Sequence, residues 1–341
     1  MAHDLTPPDP GVVLELLSAF RRSKIMFAGV SLGIFDALHS GPLSSGELSQ
    51  RLQCDADALQ RLLESLVGVG LVTREGQTFA NTPAATRYLT SDSPHRMTGY
   101  VNYSNRVMWA MWGNLEDAIR EGTHRWQQTY GWDGPIFSSF FKTDAAMREF
   151  LMGMHGFGML TSPVIVSAID LSRFRHWVDL GGATGHLAIA ACQRYPDLRA
   201  TVMDLPVALP LAEEITAASD VSGRIDVVGG DFFVDPLPAG DLYSLGRILH
   251  DWSEDKIRTL LAKIFAALPP GGGLVIAEKL LADSKDGPPW AQLQDINMLL
   301  VTEGRERTLG EYETLLLEAG FGDVVACRTA APLDIILATK P

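Results

Sequence analysis

The stretch Trp177-Val178-Asp179-Leu180-Gly181-Gly182-Ala183-Thr184-Gly185-His186 decides the fold of this chain. An apolar run leads into three glycines within five residues, and Leu187-Ala188-Ile189-Ala190-Ala191-Cys192 follows with apolar residues at helical spacing. The pattern predicts a strand, a turn and a helix. Glycines let the backbone approach a ligand without a Cβ atom in the way, and the helix N-terminus offers N–H groups to the same crevice. The stretch therefore predicts the ligand-binding edge of a parallel α/β sheet.

The glycine spacing narrows the choice of ligand. Gly181, Gly182 and Gly185 do not fit the G-x-G-x-x-G pattern of dinucleotide-binding folds. A second predicted strand ends in Asp204, 23 residues after Gly181, where a carboxylate can accept hydrogen bonds from both hydroxyls of a ribose. A cofactor with a ribose and no pyrophosphate, such as S-adenosylmethionine, is favoured. The alternative is a structural glycine turn in another α/β protein.

Composition disfavours several classes of function. The 341 residues carry a formal net charge of −13, which disfavours nucleic acid and anionic membranes as partners. The three cysteines are far apart in sequence, which speaks against a disulfide scaffold or a zinc site and favours a reducing cytoplasm. Neither a signal peptide nor an apolar run of membrane-spanning length is recognised. We therefore expect a cytoplasmic protein.

The pattern along the chain predicts three regions. Residues 1–93 form an N-terminal helical and winged-helix domain, and residues 94–170 form a helical segment that connects it to the rest. Residues 171–341 alternate strand and helix, which predicts a doubly wound, mainly parallel α/β sheet. The middle segment holds four of the seven tryptophans. This abundance suits a plain apolar core and a pocket for a flat apolar ligand equally well.

The N-terminal region predicts an interface. Residues 12–38 carry apolar side chains at helical spacing, and we expect them to pack against a partner subunit in a homodimer. Residues 44–89 look like a winged helix, which suggests DNA binding. Its second helix, however, carries three acids against one arginine, namely Asp55, Asp57, Glu64 and Arg61. A groove-reading helix needs cationic and amide side chains, so a packing and dimerisation module is favoured.

Polar side chains that could do chemistry lie at the predicted ligand edge. His250 and Asp251 follow one strand, Glu278 ends the next, and Glu306 lies in a polar turn. A histidine between two carboxylates can act as a general base, and its reference pKa of about 6.5 leaves it largely neutral at pH 7. The structural alternatives are a helix-entry histidine, an N-cap at Asp251 and a surface charge at Glu306. No cluster has metal-ligand spacing in the sequence, so no metal is predicted.

The motifs, taken in order, resemble those of a known family. They are residues 178–185, 203–206, 229–233, 247–252, 270–272 and 306–308. The series is similar to that of the S-adenosylmethionine-dependent small-molecule O-methyltransferases, the group of the plant caffeate and isoflavone enzymes. Stretches 230–238 and 297–308 resemble the acetylserotonin O-methyltransferase type in particular. The resemblance covers the chain from about residue 12 and implies a class I methyltransferase fold, a Rossmann-like sheet, with an N-terminal dimerisation domain.

The resemblance also implies roles for individual residues. The cofactor would be held by Gly181, Asp204, Gly230, Asp231, Phe232 and Arg247. His250 would be the catalytic base, with Glu278 and Glu306 beside it. The substrate would be contacted by Met154, Asp251, Asn297 and Met298. Two departures from the family pattern are Ala183, which replaces a glycine in the turn, and Val301, which replaces a glutamine of the acetylserotonin type and puts that substrate in doubt.

The sequence thus predicts a homodimeric, metal-independent enzyme that methylates a phenol-like or hydroxyindole-like oxygen of a small aromatic molecule. One alternative is the same fold acting as an N-methyltransferase or a cofactor-assisted hydroxylase; His250 and the two glutamates argue against it. A second alternative is a regulator without enzymatic activity that uses the winged helix. The acidic second helix and the net charge of −13 argue against the regulator.

Overall fold

The computed structural model describes residues 9–134 and 143–341 of the chain. Two compact units are distinguished, one ending at Asn105 and one running from Arg106 to Pro341. The ranges 1–8 and 135–142, which belong to the regions predicted as 1–93 and 94–170, lie outside the described residues. The division into three regions stays a prediction, because the two units do not test it.

The first unit is helical, with a small sheet. Its elements are α1 Gly11–Ser31, α2 Ile34–Ala37, α3 Ser45–Leu52, α4 Ala56–Gly68, α5 Pro83–Leu89, α6 Thr98–Tyr103, β1 Leu43–Ser44, β2 Val72–Glu75 and β3 Thr78–Asn81. The sheet is antiparallel in the order β1-β3-β2, and β2 and β3 are the predicted wing. A capping box starts α3: Ser44 Oγ accepts the N–H of Glu47, and the Glu47 carboxylate accepts the N–H of Ser44.

Helix α1 presents an unusually apolar exposed face. Six large apolar side chains of its first three turns are each more than half exposed, namely Val12, Val13, Leu14, Leu16, Leu17 and Phe20. Contiguous apolar surface of this kind marks a site of association with another molecule. The last turns of the same helix contribute Phe27 and Gly29 to the core of the unit. Helix α1 is therefore anchored at its C-terminal end and uncovered at its N-terminal end.

The second unit contains a large sheet and the helices that cover it. Its helices are α7 Trp109–Trp112, α8 Leu115–Glu121, α9 Trp126–Tyr130, α10 Asp144–Ala168, α11 His186–Arg194, α12 Leu209–Ala217, α13 Glu254–Ala267, α14 Pro289–Val301 and α15 Leu309–Glu318. Its strands are β4 His176–Leu180, β5 Arg199–Asp204, β6 Ile225–Gly229, β7 Leu242–Gly246, β8 Gly273–Glu278, β9 Gly322–Cys327 and β10 Asp334–Thr339. A single 3₁₀ turn over Leu249–Asp251 follows β7.

The sheet has seven strands in the order β6-β5-β4-β7-β8-β10-β9. The first five are parallel, and β10 pairs antiparallel with both β8 and β9. The predicted doubly wound, mainly parallel fold is confirmed. The chain winds outward from β4 to β6 and then returns to β7 on the other side of β4. Ligands bind beyond the carboxyl ends of the strands at such a switch point, which here lies between β4 and β7.

Apolar layers cover both faces of this sheet. Trp177 packs with Leu187 of α11 in one layer, and Val178 packs with Leu260 of α13 in the other. Neighbouring residues of β4 thus point to opposite faces, as the period of two in a strand requires. Because both faces are buried, apolar and polar residues do not alternate along the strand, and its buried carboxylate, Asp179, accepts a hydrogen bond from the hydroxyl of Ser244 at 2.6 Å.

Helix α10 corrects one expectation. The helix has 25 residues, and an 18-residue stretch of it has a mean hydropathy of 1.3, so it is long and apolar enough to cross a membrane, whereas the sequence analysis recognised no such run. Half of its apolar window is buried inside the protein, and the core helix of a globular domain passes the same test. The helix packs extensively along α11. Its apolar character is therefore accounted for by packing, and the cytoplasmic location stays a prediction.

Candidate active site

The glycine turn lies where β4 ends and α11 begins. Gly181 has a φ of 67°, in the left-handed region that glycine adopts without strain. A Cβ atom on Gly181 would lie 2.5 Å from Cδ1 of Ile248 and 3.4 Å from the ring of Phe232. The missing side chain lets Ile248 pack closely against the turn. The predicted cofactor residues Gly181 and Phe232 thus lie close together at the end of β4.

Asp204 ends β5 and supports the turn. Its Oδ2 accepts the N–H of Ala183, and its Oδ1 accepts the N–H of Leu205, both at 2.7 Å. Ala183 has a φ of 50°, which is uncommon for a residue with a Cβ atom, and the bond to Asp204 stabilises it there. Burial raises the pKa of Asp204, while these two N–H groups lower it. A carboxylate has about four acceptor positions, so Asp204 can also accept from ribose hydroxyls.

The segment after β6 lies against the same strand end. The N–H of Gly230 donates to the carbonyl oxygen of Asp204 at 2.9 Å. A Cβ atom on Gly230 would lie 2.5 Å from Cε of Met203, so this glycine allows a close approach to β5. The carboxylate of Asp231 accepts the N–H of the residue two positions later at 2.8 Å. The structure therefore places Gly230 and Asp231 beside Asp204.

Arg247 directly follows β7 and has a strained backbone. Its φ is 57°, and its N–H donates to the carbonyl oxygen of Ala277 at 3.1 Å. Its guanidinium carbon lies 4.7 Å from the centre of the Phe157 ring, and its Nη1 lies 3.3 Å from the sulfur of Met154. Phe157 in turn stacks on Trp290 at 6.2 Å between ring centres. Backbone strain of this kind concentrates at functional sites.

Phe157 and Trp290 were missed by the sequence analysis. They belong to α10 and α14, two helices far apart in the chain; Phe157 contacts Arg247, and Trp290 stacks on Phe157. Neither residue belongs to a motif that could have singled it out. For Phe157, the only signal was the abundance of aromatic residues in the segment 94–170; for Trp290 there was none.

Helix α10 is hydrogen-bonded to the glycine turn. Nδ1 of His155 lies 2.9 Å from Oγ1 of Thr184, and Nδ1 of His186 lies 2.9 Å from Oγ of Ser162. Burial lowers the pKa of His186 to about 3, which leaves its ring neutral. A Cβ atom on Gly158 would overlap the His186 ring, so the two helices approach closely at this point. These contacts hold Met154, on the same helix, close to the cofactor crevice.

His250 lies in the 3₁₀ turn after β7 and is almost fully buried. Its Nδ1 lies 2.7 Å from Oε1 of Glu306, and its backbone N–H donates to Oε1 of Glu278 at 3.1 Å. Its Nε2 lies 3.7 Å from Oδ1 of Asp251. The structure thus brings together the four polar residues that the sequence placed at strand ends. Glu306, rather than Glu278, contacts the imidazole ring.

The surroundings of His250 change its basicity. Burial alone would lower the pKa of His250, but the charges of Glu306, Glu278 and Asp251 outweigh this and raise it to about 9. Burial raises the pKa of Asp251 to about 6. The sequence analysis took His250 to be largely neutral at pH 7 from its reference value. That expectation was wrong, because it could not count the carboxylates around the ring.

Gly304 lets the chain return close to this turn. A Cβ atom on Gly304 would overlap the carbonyl oxygen of His250 and lie 2.7 Å from the carbonyl carbon of Asp251. The neighbouring Glu303 donates its N–H to the carbonyl oxygen of Asp251 at 3.3 Å. The segment that carries Glu306 is therefore held against the backbone of the His250 turn.

The same cluster has side-chain atoms close enough together to bind a metal ion. One ligand atom each of His250, Glu278 and Glu306 lie within 4.8 Å of one another, although the sequence showed no such spacing. Apart from Oε2 of Glu306, which is buried without a hydrogen-bond partner among the described residues, the carboxylate oxygens of this cluster and Nδ1 of His250 already bind protein groups. Glu278 Oε1 accepts two backbone N–H groups, its Oε2 accepts the hydroxyl of Tyr312, and His250 Nδ1 bonds Glu306. An ion would have to displace these bonds.

The remaining predicted substrate residues lie on α14. Met298 is buried, and Asn297 is half-buried with its Oδ1 accepting the indole N–H of Trp112 at 3.0 Å. The structure joins Asn297 to Trp112 rather than to the His250 cluster. Val301, the departure noted in the sequence, is buried, and its carbonyl oxygen accepts the indole N–H of Trp126 at 2.8 Å.

Comparison with known proteins identifies the family. Residues 112–322, more than half of the chain, match the O-methyltransferase domain, and residues 14–91 match the O-methyltransferase dimerisation domain. The chain belongs to the O-methyltransferase family. The predicted resemblance and the predicted S-adenosylmethionine cofactor are thereby confirmed, and the fold is that of a class I methyltransferase with an N-terminal dimerisation domain.

Relatives of this O-methyltransferase share most of its length. Acetylserotonin O-methyltransferase of Gallus gallus is 37% identical over 97% of both chains. The crystal structure of human N-acetylserotonin methyltransferase in complex with S-adenosylmethionine is 34% identical, with a TM-score of 0.93 over 100% of this chain and 99% of that one. A human bifunctional dTTP/UTP pyrophosphatase/methyltransferase protein is 37% identical over 99% of this chain, which spans 55% of that relative.

Proposed function

We propose that this O-methyltransferase transfers a methyl group from S-adenosylmethionine to a hydroxyl of a small aromatic molecule, with His250 as the general base and no metal ion. The observation that carries the proposal is the buried pair of His250 and Glu306, 2.7 Å apart beside the cofactor crevice. A base oriented by a carboxylate is the arrangement that activates a hydroxyl nucleophile.

The cofactor is held by residues at the ends of the parallel strands. Asp204 accepts hydrogen bonds from ribose hydroxyls with the acceptor positions that Ala183 and Leu205 leave free. Gly181 and Gly230 allow the close approach, and Phe232, Asp231 and Arg247 border the crevice. When bound, S-adenosylmethionine supplies an electrophilic methyl group on a sulfonium centre.

His250 removes the proton of the acceptor hydroxyl. A phenol-like hydroxyl has a pKa of about 10 and is mostly neutral at pH 7, so it is a poor nucleophile without a base. Nε2 of His250 accepts this proton, and Glu306 at Nδ1 stabilises the imidazolium that forms. Glu278 acts on the same residue through its backbone N–H. The high pKa of about 9 makes His250 a strong base whose reactive neutral form grows as the pH rises.

The substrate contacts fit an apolar, flat molecule with a polar reacting end. Met154 and Met298 offer soft apolar surface, while Asp251 and Asn297 offer polar groups. The acetylserotonin relatives support an aromatic acceptor. Acetylserotonin itself is not part of the proposal, because the buried Val301 provides no side-chain amide.

The proposal of metal independence rests on existing hydrogen bonds. Both oxygens of Glu278, Nδ1 of His250 and Oε1 of Glu306 are taken by protein partners, and of these carboxylate oxygens only Oε2 of Glu306 is left without a hydrogen bond to the part of the chain that the structure describes. A resident ion needs ligand atoms that converge on an open position. The proton transfer assigned to His250 needs no such ion.

The homodimer is proposed from two observations that agree. The dimerisation match covers residues 14–91, and the uncovered apolar face of α1 lies at its start. A helix face of this kind stabilises a protein when a second copy covers it.

A methyl-transfer assay with labelled cofactor tests the reaction. Phenols, hydroxyindoles and aromatic amines of similar size are offered at equal concentration, with and without a metal chelator. We expect label on oxygen of a phenol or hydroxyindole, unaffected by the chelator. Transfer only to nitrogen would replace the proposal by N-methylation, and loss of activity with the chelator would contradict metal independence.

A further inference from the structure

A tyrosine outside the predicted site reaches the buried cluster. Tyr312 lies in the second turn of α15 and is 1% exposed, and its hydroxyl donates a short hydrogen bond to Oε2 of Glu278. Glu278 is also 1% exposed. A buried carboxylate is costly unless hydrogen bonds satisfy it, so the tyrosine hydroxyl supports the charge on Glu278.

Glu278 also contacts the backbone of the turn that carries His250. Its Oε1 accepts the backbone N–H groups of Ile248 at 3.2 Å and of His250 at 3.1 Å. The hydroxyl of Tyr312 therefore acts on His250 through one carboxylate, by holding its oxygens in place and by maintaining its negative charge. A hydrogen bond to one oxygen leaves the other oriented toward the backbone of the turn.

Two local features keep Tyr312 in this position. Thr308 and Glu311 form a capping box at the start of α15, one turn before the tyrosine. The N–H of Leu281 donates to the carbonyl oxygen of Arg307 at 3.0 Å, which ties the chain after β8 to the chain before α15. Helix α15 and strand β8 are thus joined at the level of Glu278.

We propose that Tyr312 is a positioning residue for the methyl transfer: through Glu278 it sets the pH range in which His250 accepts a proton. This inference rests on the proposed role of His250 as the base. Tyr312 itself contacts neither of the two nitrogens of His250 in the bonds described above, so it acts only by way of the carboxylate.

The carboxylates around His250 come from separate segments of the chain, and Asp295 of α14 accepts the backbone N–H of one of them, Glu306, at 2.9 Å. Asp251 lies in its own turn, Glu278 on β8, and Glu306 in the segment before α15. The guanidinium groups that face the cluster belong to Arg247, which acts on Asp251, and Arg307, which donates to the carbonyl oxygen of Leu249 at 3.3 Å.

These groups determine whether removal of the Tyr312 hydroxyl raises or lowers the pKa of His250. Burial, Glu278 and Glu306 hold the pKa of Tyr312 well above its usual range, so its hydroxyl remains a donor. Burial raises the pKa of Glu278, and the bond from Tyr312 opposes this rise. Without the hydroxyl, Glu278 binds a proton more readily, so its average negative charge is smaller. His250 then has less negative charge beside it, and its pKa falls from about 9.

The experiment compares Tyr312→Phe with the wild-type enzyme in kcat/KM from pH 6 to 10, using the same hydroxyl substrate. The acid limb of the pH profile of kcat/KM reports the pKa of the base in the free enzyme. Ionisation of the substrate affects both enzymes equally, so it cancels in the ratio of variant to wild-type kcat/KM. Loss of one nearby charge shifts a pKa by about one unit, so we expect the variant-to-wild-type ratio to be about tenfold higher at pH 7 than at pH 10. Cofactor affinity should not change.

A matched control separates this effect from simple damage. Tyr243→Phe removes the hydroxyl of another buried tyrosine, which donates to the carbonyl oxygen of Pro238 at 2.5 Å. The ratio of kcat/KM of Tyr243→Phe to that of the wild-type enzyme should be independent of pH. Combining Tyr312→Phe with Glu278→Gln should add no further pH effect, because both changes remove the same charge.

Two outcomes would overturn the proposal. One is a pH-independent ratio for Tyr312→Phe while His250→Ala remains inactive, which would leave His250 as the base and remove Tyr312. The other applies if Tyr312→Phe does not fold. If the acid limb of the kcat/KM profile is then unshifted in Glu278→Gln alone, the charge of Glu278 does not affect the pKa of His250. Full turnover of His250→Ala would instead refute the base itself.

Discussion

His250 is the residue whose replacement bears most directly on the reaction. We expect His250→Ala to lower kcat on the order of 10²–10⁴-fold, because a positioned general base contributes about that much. Affinity for the cofactor should change little, since its proposed contacts come from other residues. The measurement is kcat with a methyl-accepting hydroxyl substrate, beside calorimetric binding of S-adenosylhomocysteine. The partly exposed His39 provides the control variant His39→Ala. Near-normal turnover of His250→Ala would point to a substrate that is already ionised.

Asp204 carries the prediction for cofactor binding. Removing a charged acceptor from the ribose hydroxyls should weaken binding of S-adenosylhomocysteine by roughly 1.5–3 kcal/mol in Asp204→Ala. Because Asp204 also bonds Ala183 and Leu205, Asp204→Asn serves as the control that retains one acceptor oxygen. Titration calorimetry compares the three proteins. Unchanged affinity in Asp204→Ala would remove Asp204 from the cofactor site.

Most of the residues around His250 could be predicted from the sequence, but their electrostatic effect on it could not. The meeting of His250 and Glu278 could be predicted because parallel strands end at one edge of the sheet, so residues at the ends of different strands meet there. Glu306 was singled out by its polar turn, and it reaches His250 through the loop between α14 and α15. The basicity of His250 could not be predicted, because it depends on how many carboxylates the fold buries around one ring. Tyr312 and Phe157 were missed because each reaches the site through helix packing, which leaves no motif in the sequence.

Among the elements, α1 carries the prediction for assembly. Its exposed apolar face should become the centre of a two-fold interface that buries well above ~1,000 Å² in total. Leu17→Glu places a charge in that face and should shift the protein toward monomers in light scattering at micromolar concentration. Leu317→Glu, at a comparably exposed position on α15, is the control and should leave the assembly unchanged. A wild-type monomer with full activity would contradict the prediction.

The start of α14 is set by a proline. Within the region predicted to alternate strand and helix, this helix begins at Pro289. A proline is favourable in the first turn of a helix, because its missing N–H has no partner there in any case. The apolar spacing alone does not reveal that turn. Trp290, which stacks on Phe157, lies within it.

On the scale of the whole molecule, the net charge and the family match both speak against DNA binding by the winged helix. The formal charge of −13 disfavoured a DNA-binding role for the winged helix, and the match of residues 14–91 to a dimerisation domain assigns that region another purpose. The parallel sheet was predictable because strand and helix alternate in the sequence and right-handed crossovers leave few arrangements.

The narrow space at Gly304 has a consequence for how this protein can change. The chain there passes so close to the His250 turn that there is room only for a hydrogen atom. A residue inserted or deleted between α14 and Glu306 would move another side chain into that space and separate the carboxylate from its imidazole. With the substrate contacts proposed above, side chains on α10 and α14 can change while the length of this short connection has to stay constant.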